Sequence, residues 1–299
     1  MVVDRPGGNV DHVLTYVSPE NVTAPEPNRA ILFKAGTLAA GNLYLCTQTE
    51  ILVYSYPDLK RRRYLSLPCF NDIHHVRPKR NGNLLVTSTG LDMVFEINAE
   101  DEIVNEWTTA EGSGWSKFQP GVDYRRISTT KPHSSHPNYV FEASGKTWAT
   151  RFVQRDALCL DDMQTTIPIG LQAPHDGEVF GDRIYFTTVD GHIVVIDTKT
   201  LRKIDVINLN KIEAANNPLG WCRGIHVIDT HKVVVGFSRI RPTRYEKNIL
   251  WAKHKLGVGR AVAPRPTRIA QYDLKERCLE WEFDVEDNGM NAIFSIHRV

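Results

Sequence analysis

Apolar and polar positions alternate in short runs along almost the whole chain, and Gly, Asn, Asp and Pro interrupt the runs. A period of two, carried by Val, Ile, Thr, Tyr and Phe, predicts β-strands rather than helices. Residues 174–208 show it most clearly. There PHDGEVF, GDRIYFTTV, DGHIVVIDTKT and RKIDVIN are strand candidates joined by Gly-Asp, Asp-Gly and Thr-Lys-Thr-Leu turns, the pattern of a four-stranded antiparallel meander.

The cycle recurs. NDIHHVRP, NGNLLVTST, DMVFEIN and EIVNEWT fill 71–108; HPNYVFEA, GKTWATRF, DALCLDD and QTTIPIG fill 136–170. WCRGIHVID, HKVVVGFS, RIAQYDL and CLEWEFD fill 221–284, and AILFKAG, GNLYLCT, EILVYSY and RRYLSL fill 30–67. A sheet repeated every forty residues or so covers its faces only by packing on its neighbours, which predicts an all-β fold, a β-propeller of five four-stranded blades. Six blades is the alternative, if HVLTYVS near the N-terminus starts a partial one. The final NGMNAIFSIHRV is expected to close the ring as an extra strand on the N-terminal blade. Residues 1–299 are then one propeller domain.

Two segments fall outside the repeat, 110–135 and 241–266, the second with a possible helix at YEKNILWAKHKL. Strands alternate direction within a blade, so both segments are expected at one mouth of the channel, as lids or binding loops.

Charge narrows the function. Thirty-six basic and 35 acidic side chains leave a net charge of +1, which speaks against nucleic acid or an anionic membrane as partner. The run Lys60, Arg61, Arg62, Arg63 reads as a solvated outer strand. The five cysteines show no CxxC spacing and read as buried thiols. The first residues lack a signal peptide's pattern and no apolar run is long enough to cross a bilayer, so a cytoplasmic protein without membrane contact is expected.

Five of the eleven histidines fall in the first strand of a repeat or in the closing strand: His74 or its neighbour His75, His136, His175, His226 and His297. The first strand of a blade is the innermost, so imidazoles there approach one axis from different directions. Several converging imidazoles make a site for a divalent transition metal, with coordination positions left for substrate. A histidine in such a place can equally line a wet channel and bond to backbone. The absence of a Cys cluster or an HExxH helix argues against structural zinc and the familiar zinc proteases. The donor set suits Fe(II), Zn, Mn or Ni. Asp72, Asn138, Asp176 and Glu178 are the polar neighbours placed to orient these rings, with Asp72 and Glu178 the carboxylates nearest the chemistry. Arg223 and Arg239 are candidates for holding an anionic group of a small-molecule substrate.

Asn71-Asp72-Ile73-His74, His136-Pro137-Asn138, Pro174-His175-Asp176-Gly177, Arg223-Gly224-Ile225 and Gly236-Phe237-Ser238-Arg239-Ile240-Arg241 follow one another in that order. In this the chain resembles a bacterial family of propeller-type proteins without an established reaction, whose pattern runs NDLH, HLN, PHSPRW, RGL, GLSxxR. The resemblance covers about residues 68–299 and favours His74 over His75 as the site histidine. Here PHSPRW has become PHDGEV, and His226 and His297 stand where the pattern has other residues. The arrangement also looks like that of carotenoid cleavage oxygenases, in which histidines from different blades hold an iron on the axis.

The expectation is a metal-dependent enzyme acting on a small organic substrate, in the first place a non-haem Fe(II) oxygenase with His74, His136, His175, His226 and His297 as ligands. The alternatives are a Zn or Mn lyase or isomerase in which His75 or His297 moves the proton, and a non-catalytic propeller that binds a ligand or protein at its mouth.

Overall fold

The computed structural model describes residues 1–3, 9–11, 14–24, 33–112, 114–214, 218–240 and 265–299. Five four-stranded antiparallel sheets are present among them, each in simple meander order, and the fold is all-β, a five-bladed β-propeller. The chain divides into two compact units, Met1–Gly177 and Glu178–Val299.

The first unit holds three of the sheets. An antiparallel pair of two-residue strands, β1 (Val2–Val3) with β2 (Val10–Asp11), precedes them. The first sheet is β3 (Thr37–Ala39), β4 (Asn42–Cys46), β5 (Ile51–Ser55) and β6 (Arg61–Leu65). The second is β7 (Ile73–Pro78), β8 (Leu84–Ser88), β9 (Met93–Ile97) and β10 (Ile103–Thr108). The third is β11 (Pro137–Ala143), β12 (Lys146–Arg151), β13 (Asp156–Cys159) and β14 (Thr166–Pro168).

The middle strands β5, β8 and β9 are buried on both faces, which is why they read as apolar runs rather than clean alternations. Leu84 and Val86 of β8 pack with Ile51, Val53 and Phe70 in one core, while Leu85 between them joins Val140 and Ala149 in another. Successive side chains of one strand thus serve different layers. The outer strand β10 is largely exposed.

The second unit holds two sheets. One is β15 (Glu178–Phe180), β16 (Arg183–Thr188), β17 (His192–Asp197) and β18 (Lys203–Asn208); the other is β19 (Trp221–Val227), β20 (Lys232–Ser238), β21 (Arg268–Asp273) and β22 (Cys278–Asp284). Tyr185, Ile193 and Val195 pack against Val233, Val235 and Tyr272 to form its core.

Three local expectations change. Residues 14–18 of HVLTYVS form no strand. In the first repeat the inner strand begins at Thr37, later than AILFKAG implied, because Ala35 is taken up elsewhere: its N–H donates to the His74 carbonyl at 3.0 Å, in a parallel bridge to His75. After β22 there is no further strand. The closing segment instead lies on the fifth sheet, where the Ile293 N–H donates to Ser238 Oγ at 2.9 Å.

The predicted helix at YEKNILWAKHKL and all but the end of the 241–266 insertion lie outside the described residues. The 110–135 segment is packed down: Phe118 and Tyr124 are buried, and the Asn71 amide donates to the Tyr124 and Ile127 carbonyls, both at 2.8 Å. No helix among the described residues is long and apolar enough to cross a membrane.

Candidate functional site

Three of the expected histidines meet in the first unit. His74 is the second residue of β7 and buried. Asp72, two residues earlier, has φ of 49°, a left-handed conformation that Asp tolerates better than most residues. The turn brings its carbonyl to 2.9 Å from His74 Nδ1. A carbonyl only accepts, so the His74 hydrogen is on Nδ1 and the lone pair on Nε2. The Asp72 carboxylate, partly buried, stands 3.7 Å from His74 Nδ1 and 3.7 Å from Lys34 Nζ.

His136 sits just before β11 with φ of 56°, an uncommon conformation for a bulky residue. Asp92 holds it there. Its buried carboxylate accepts the backbone N–H groups of Ser134 (2.7 Å), Ser135 (2.9 Å) and His136 (2.7 Å). His175 is buried in the segment after β14, with Nδ1 3.5 Å from Asp176 Oδ1. Asn138, buried on β11, donates its amide to the Pro174 carbonyl at 3.0 Å and so ties the His136 strand to the His175 turn. The Asn138 Oδ1 is buried with no hydrogen-bond partner among the described residues.

The His74 ring centroid is 5.0 Å from that of His136 and 6.2 Å from that of His175. A fourth ring joins them from the packed insertion: His133 Nδ1 is 2.6 Å from His136 Nδ1. Burial lowers the pKa of His74, with Asp72 opposing it, and burial lowers that of His136, reinforced by His74 and His133. Burial lowers His133 too. All three are neutral imidazoles at pH 7. Burial works against charge on Asp72, but His74 and Lys34 outweigh it and hold the carboxyl below the ordinary carboxylate range.

His75 has another task. Its Nδ1 accepts the Val140 N–H at 3.1 Å, its Nε2 meets Thr37 Oγ1 at 3.1 Å, and its ring stacks on Tyr139 at 3.8 Å. The β7–β8 register shifts between Ile73 and His75, so His74 sits at an irregularity of the strand while His75 is held in the ladder opposite Thr87. His75 is a pin between the first three sheets rather than the expected proton carrier.

The remaining expected residues lie in the second unit. His226 is the sixth of seven residues of β19, well past the strand start at which His74 and His136 sit, and its Nδ1 is 3.3 Å from the Glu178 carboxylate. Glu178 therefore serves His226 within its own unit. Arg239 donates Nε to Glu286 at 2.8 Å in a partly exposed ion pair. Arg223 lies over the Phe294 ring at 4.4 Å. His297 belongs to the strandless closing segment.

Three residues escaped the sequence reading: His133, Asp92 and Lys34. The HxxH spacing of His133 and His136 was the available signal for the first. Asp92 and Lys34 act through tertiary contacts that no local pattern announces.

Among the described residues no group of three or more His, Cys, Asp or Glu side chains is placed to hold a metal ion. The donors nevertheless suit one. Rings bound through one nitrogen at about 2.1 Å stand with centroids roughly 4.5–6.5 Å apart, a range that includes the His74–His136 and His74–His175 separations.

Neither family models nor curated proteins match the chain. Solved structures do. A protein of unknown function from Bacteroides caccae is similar at a TM-score of 0.59 and 13% identity, over 88% of this chain and 85% of the other. Virginiamycin B lyase from Staphylococcus aureus is similar at 0.50 and 14%, over 84% and 69%. A catalytically inactive histidine-to-alanine form of that lyase, with quinupristin, gives 0.50 and 15%, over 87% and 72%. These likenesses concern the fold, and they lend no support to the expected resemblance to carotenoid cleavage oxygenases.

Proposed function

We propose that the protein is a metal-dependent enzyme acting on a small organic substrate at the cluster of His74, His136 and His175, and that its reaction is bond cleavage or isomerisation of the lyase type. One observation carries this: each of the three rings has its Nδ1 edge against a partner, the Asp72 carbonyl, His133 and the Asp176 carboxylate. Metal-binding imidazoles are oriented in this way, with the second nitrogen tied to a carbonyl, carboxylate or other acceptor. The neutrality of His74 and His136 at pH 7 fits the same role, because a protonated imidazole has no lone pair to give.

The ion, Zn or Mn in this reading, would polarise a carbonyl or leaving group of the substrate. Around it the chain supplies a charged pair, Asp72 and Lys34, and the unsatisfied Asn138 Oδ1, which would accept a substrate N–H or O–H. The likeness to virginiamycin B lyase, whose histidine-to-alanine form is inactive, is of the fold and brings the lyase reading forward over the oxygenase one.

Calorimetric titration of metal-free protein with Zn(II), Mn(II) and anaerobic Fe(II) tests the site. One equivalent is expected for wild type, with affinity lowered about tenfold or more in His74→Ala, His136→Ala and His175→Ala alike. Full metal binding in any of the three sinks the shared site. Turnover under nitrogen supports the lyase; a strict need for oxygen with Fe(II) transfers the assignment to the oxygenase.

A further inference from the structure

We propose that His133, from the 110–135 insertion, is a positioning residue that fixes the tautomer of His136 and so places the His136 lone pair on Nε2. The inference rests on the reading of His136 as a site residue, but its chemistry follows from hydrogen bonds alone.

Thr130 stands at the head of a chain of hydrogen bonds. Its hydroxyl donates to the Gly90 carbonyl, with a longer contact at 3.4 Å to the Asn71 amide oxygen. Having one hydrogen, the hydroxyl can only accept from His133, whose Nε2 lies 3.4 Å from Thr130 Oγ1. His133 therefore carries its hydrogen on Nε2, and its Nδ1 is an acceptor.

The 2.6 Å contact between the two Nδ1 atoms then has one consistent assignment. Two neutral imidazoles meeting edge to edge need one donor and one acceptor. His136 is the donor, through Nδ1–H, and its lone pair sits on Nε2. Asp92 supports the arrangement from the backbone by holding residues 134–136 in place. Gly90 is part of it: an added Cβ there would lie 2.0 Å from Asn71 Oδ1, so the carbonyl that receives Thr130 depends on glycine at this position.

Nothing in this pairing is needed to hold the blade together, because β11 has its own ladder with β12. The pair acts on one ring. It does for His136 what the Asp72 carbonyl does for His74.

The test is the imidazole nitrogen spectrum of metal-free, 15N-labelled protein at pH 7.5. Wild type should show His136 as the Nδ1–H tautomer and His133 as the Nε2–H tautomer. In His133→Ala the His136 signals should move toward the Nε2–H form, the commoner one in solution, whereas His133→Asn, which offers an amide oxygen in place of Nδ1, should keep them. Thr130→Val removes the acceptor that orients His133 and should release the tautomer as well, which covers the case in which His133→Ala folds poorly. Zn(II) affinity should fall about tenfold in His133→Ala and recover in His133→Asn. An Nε2–H His136 in wild type, or one indifferent to all three substitutions, overturns the proposal. A tautomer that responds as stated in a protein that binds no metal leaves this inference standing and removes the metal reading.

Discussion

At the scale of the residue, neighbouring histidines have opposite fates on either side of an irregularity in β7, where the register shifts between Ile73 and His75. His74 turns toward His136 and His175; His75 turns into the interior and accepts the Val140 N–H. Replacing His75 by alanine leaves a buried backbone donor without its partner and a cavity beside Tyr139. An orphaned buried donor costs about 1–3 kcal/mol, and the lost packing adds to it. His75→Ala is therefore expected to lower the stability measured by urea unfolding by about 2–4 kcal/mol while leaving metal stoichiometry at the wild-type value. Loss of metal with unchanged stability would return His75 to the site. The sequence pointed to one of this pair through the order of motifs, but which face of β7 is which depends on the sheets packed around it.

At the scale of the element, the five repeats were legible because each hairpin is marked by turn residues and each middle strand by an unbroken apolar run. What the repeat could not convey was level along the strand. His226 occupies a first strand, as expected, but near its far end, because β19 starts at Trp221. The ends of the chain were equally hidden. NGMNAIFSIHRV reads as a strand, yet its backbone is engaged by a serine side chain, and two glycines of the fifth sheet make room for it. A Cβ on Gly236 would meet Ile293 Cγ2 at 2.5 Å and the Arg223 carbonyl at 2.6 Å, and one on Gly224, at φ of 78°, would press on Ser295 backbone. Gly236→Ala must displace the closing segment. The expected outcome is a loss of about 1–3 kcal/mol, the usual range for overpacking a tight site, together with faster proteolysis after residue 285. A substitution that leaves both unchanged would show that the segment does not depend on this close approach.

At the scale of the whole molecule, near-neutral charge makes pH sensitivity a matter of individual buried groups rather than of global repulsion. Two sets of groups act in different windows. The folded pKa of Asp92 is lowered: burial opposes its charge, but the N–H groups of His136, Ser134 and Ser135 outweigh it. It stabilises the fold above the ordinary carboxylate value and that contribution is lost as pH falls through the folded value. The imidazoles of His74, His133 and His136 are also lowered, and here burial is the largest cause. Between their folded values and the ordinary value near 6.5 the unfolded chain binds protons that the folded chain does not. Their contribution is complete above about pH 6.5 and falls away as the solution is acidified. The acid limb of metal-free protein should thus begin near pH 6.5, before the carboxylates protonate, and thermal unfolding midpoints at pH 7.5, 6.5, 5.5 and 4.5 would trace it. His133→Asn removes one of the three imidazoles, so its midpoint should fall less steeply between pH 6.5 and 5.5, while the drop below pH 4.5, set by Asp92 and the other carboxylates, keeps its shape. A wild-type midpoint that is level from pH 7.5 to 5 would mean that these rings gain protons in the folded state as easily as in the unfolded one, and that they are not the neutral, lone-pair-bearing groups on which a metal site depends.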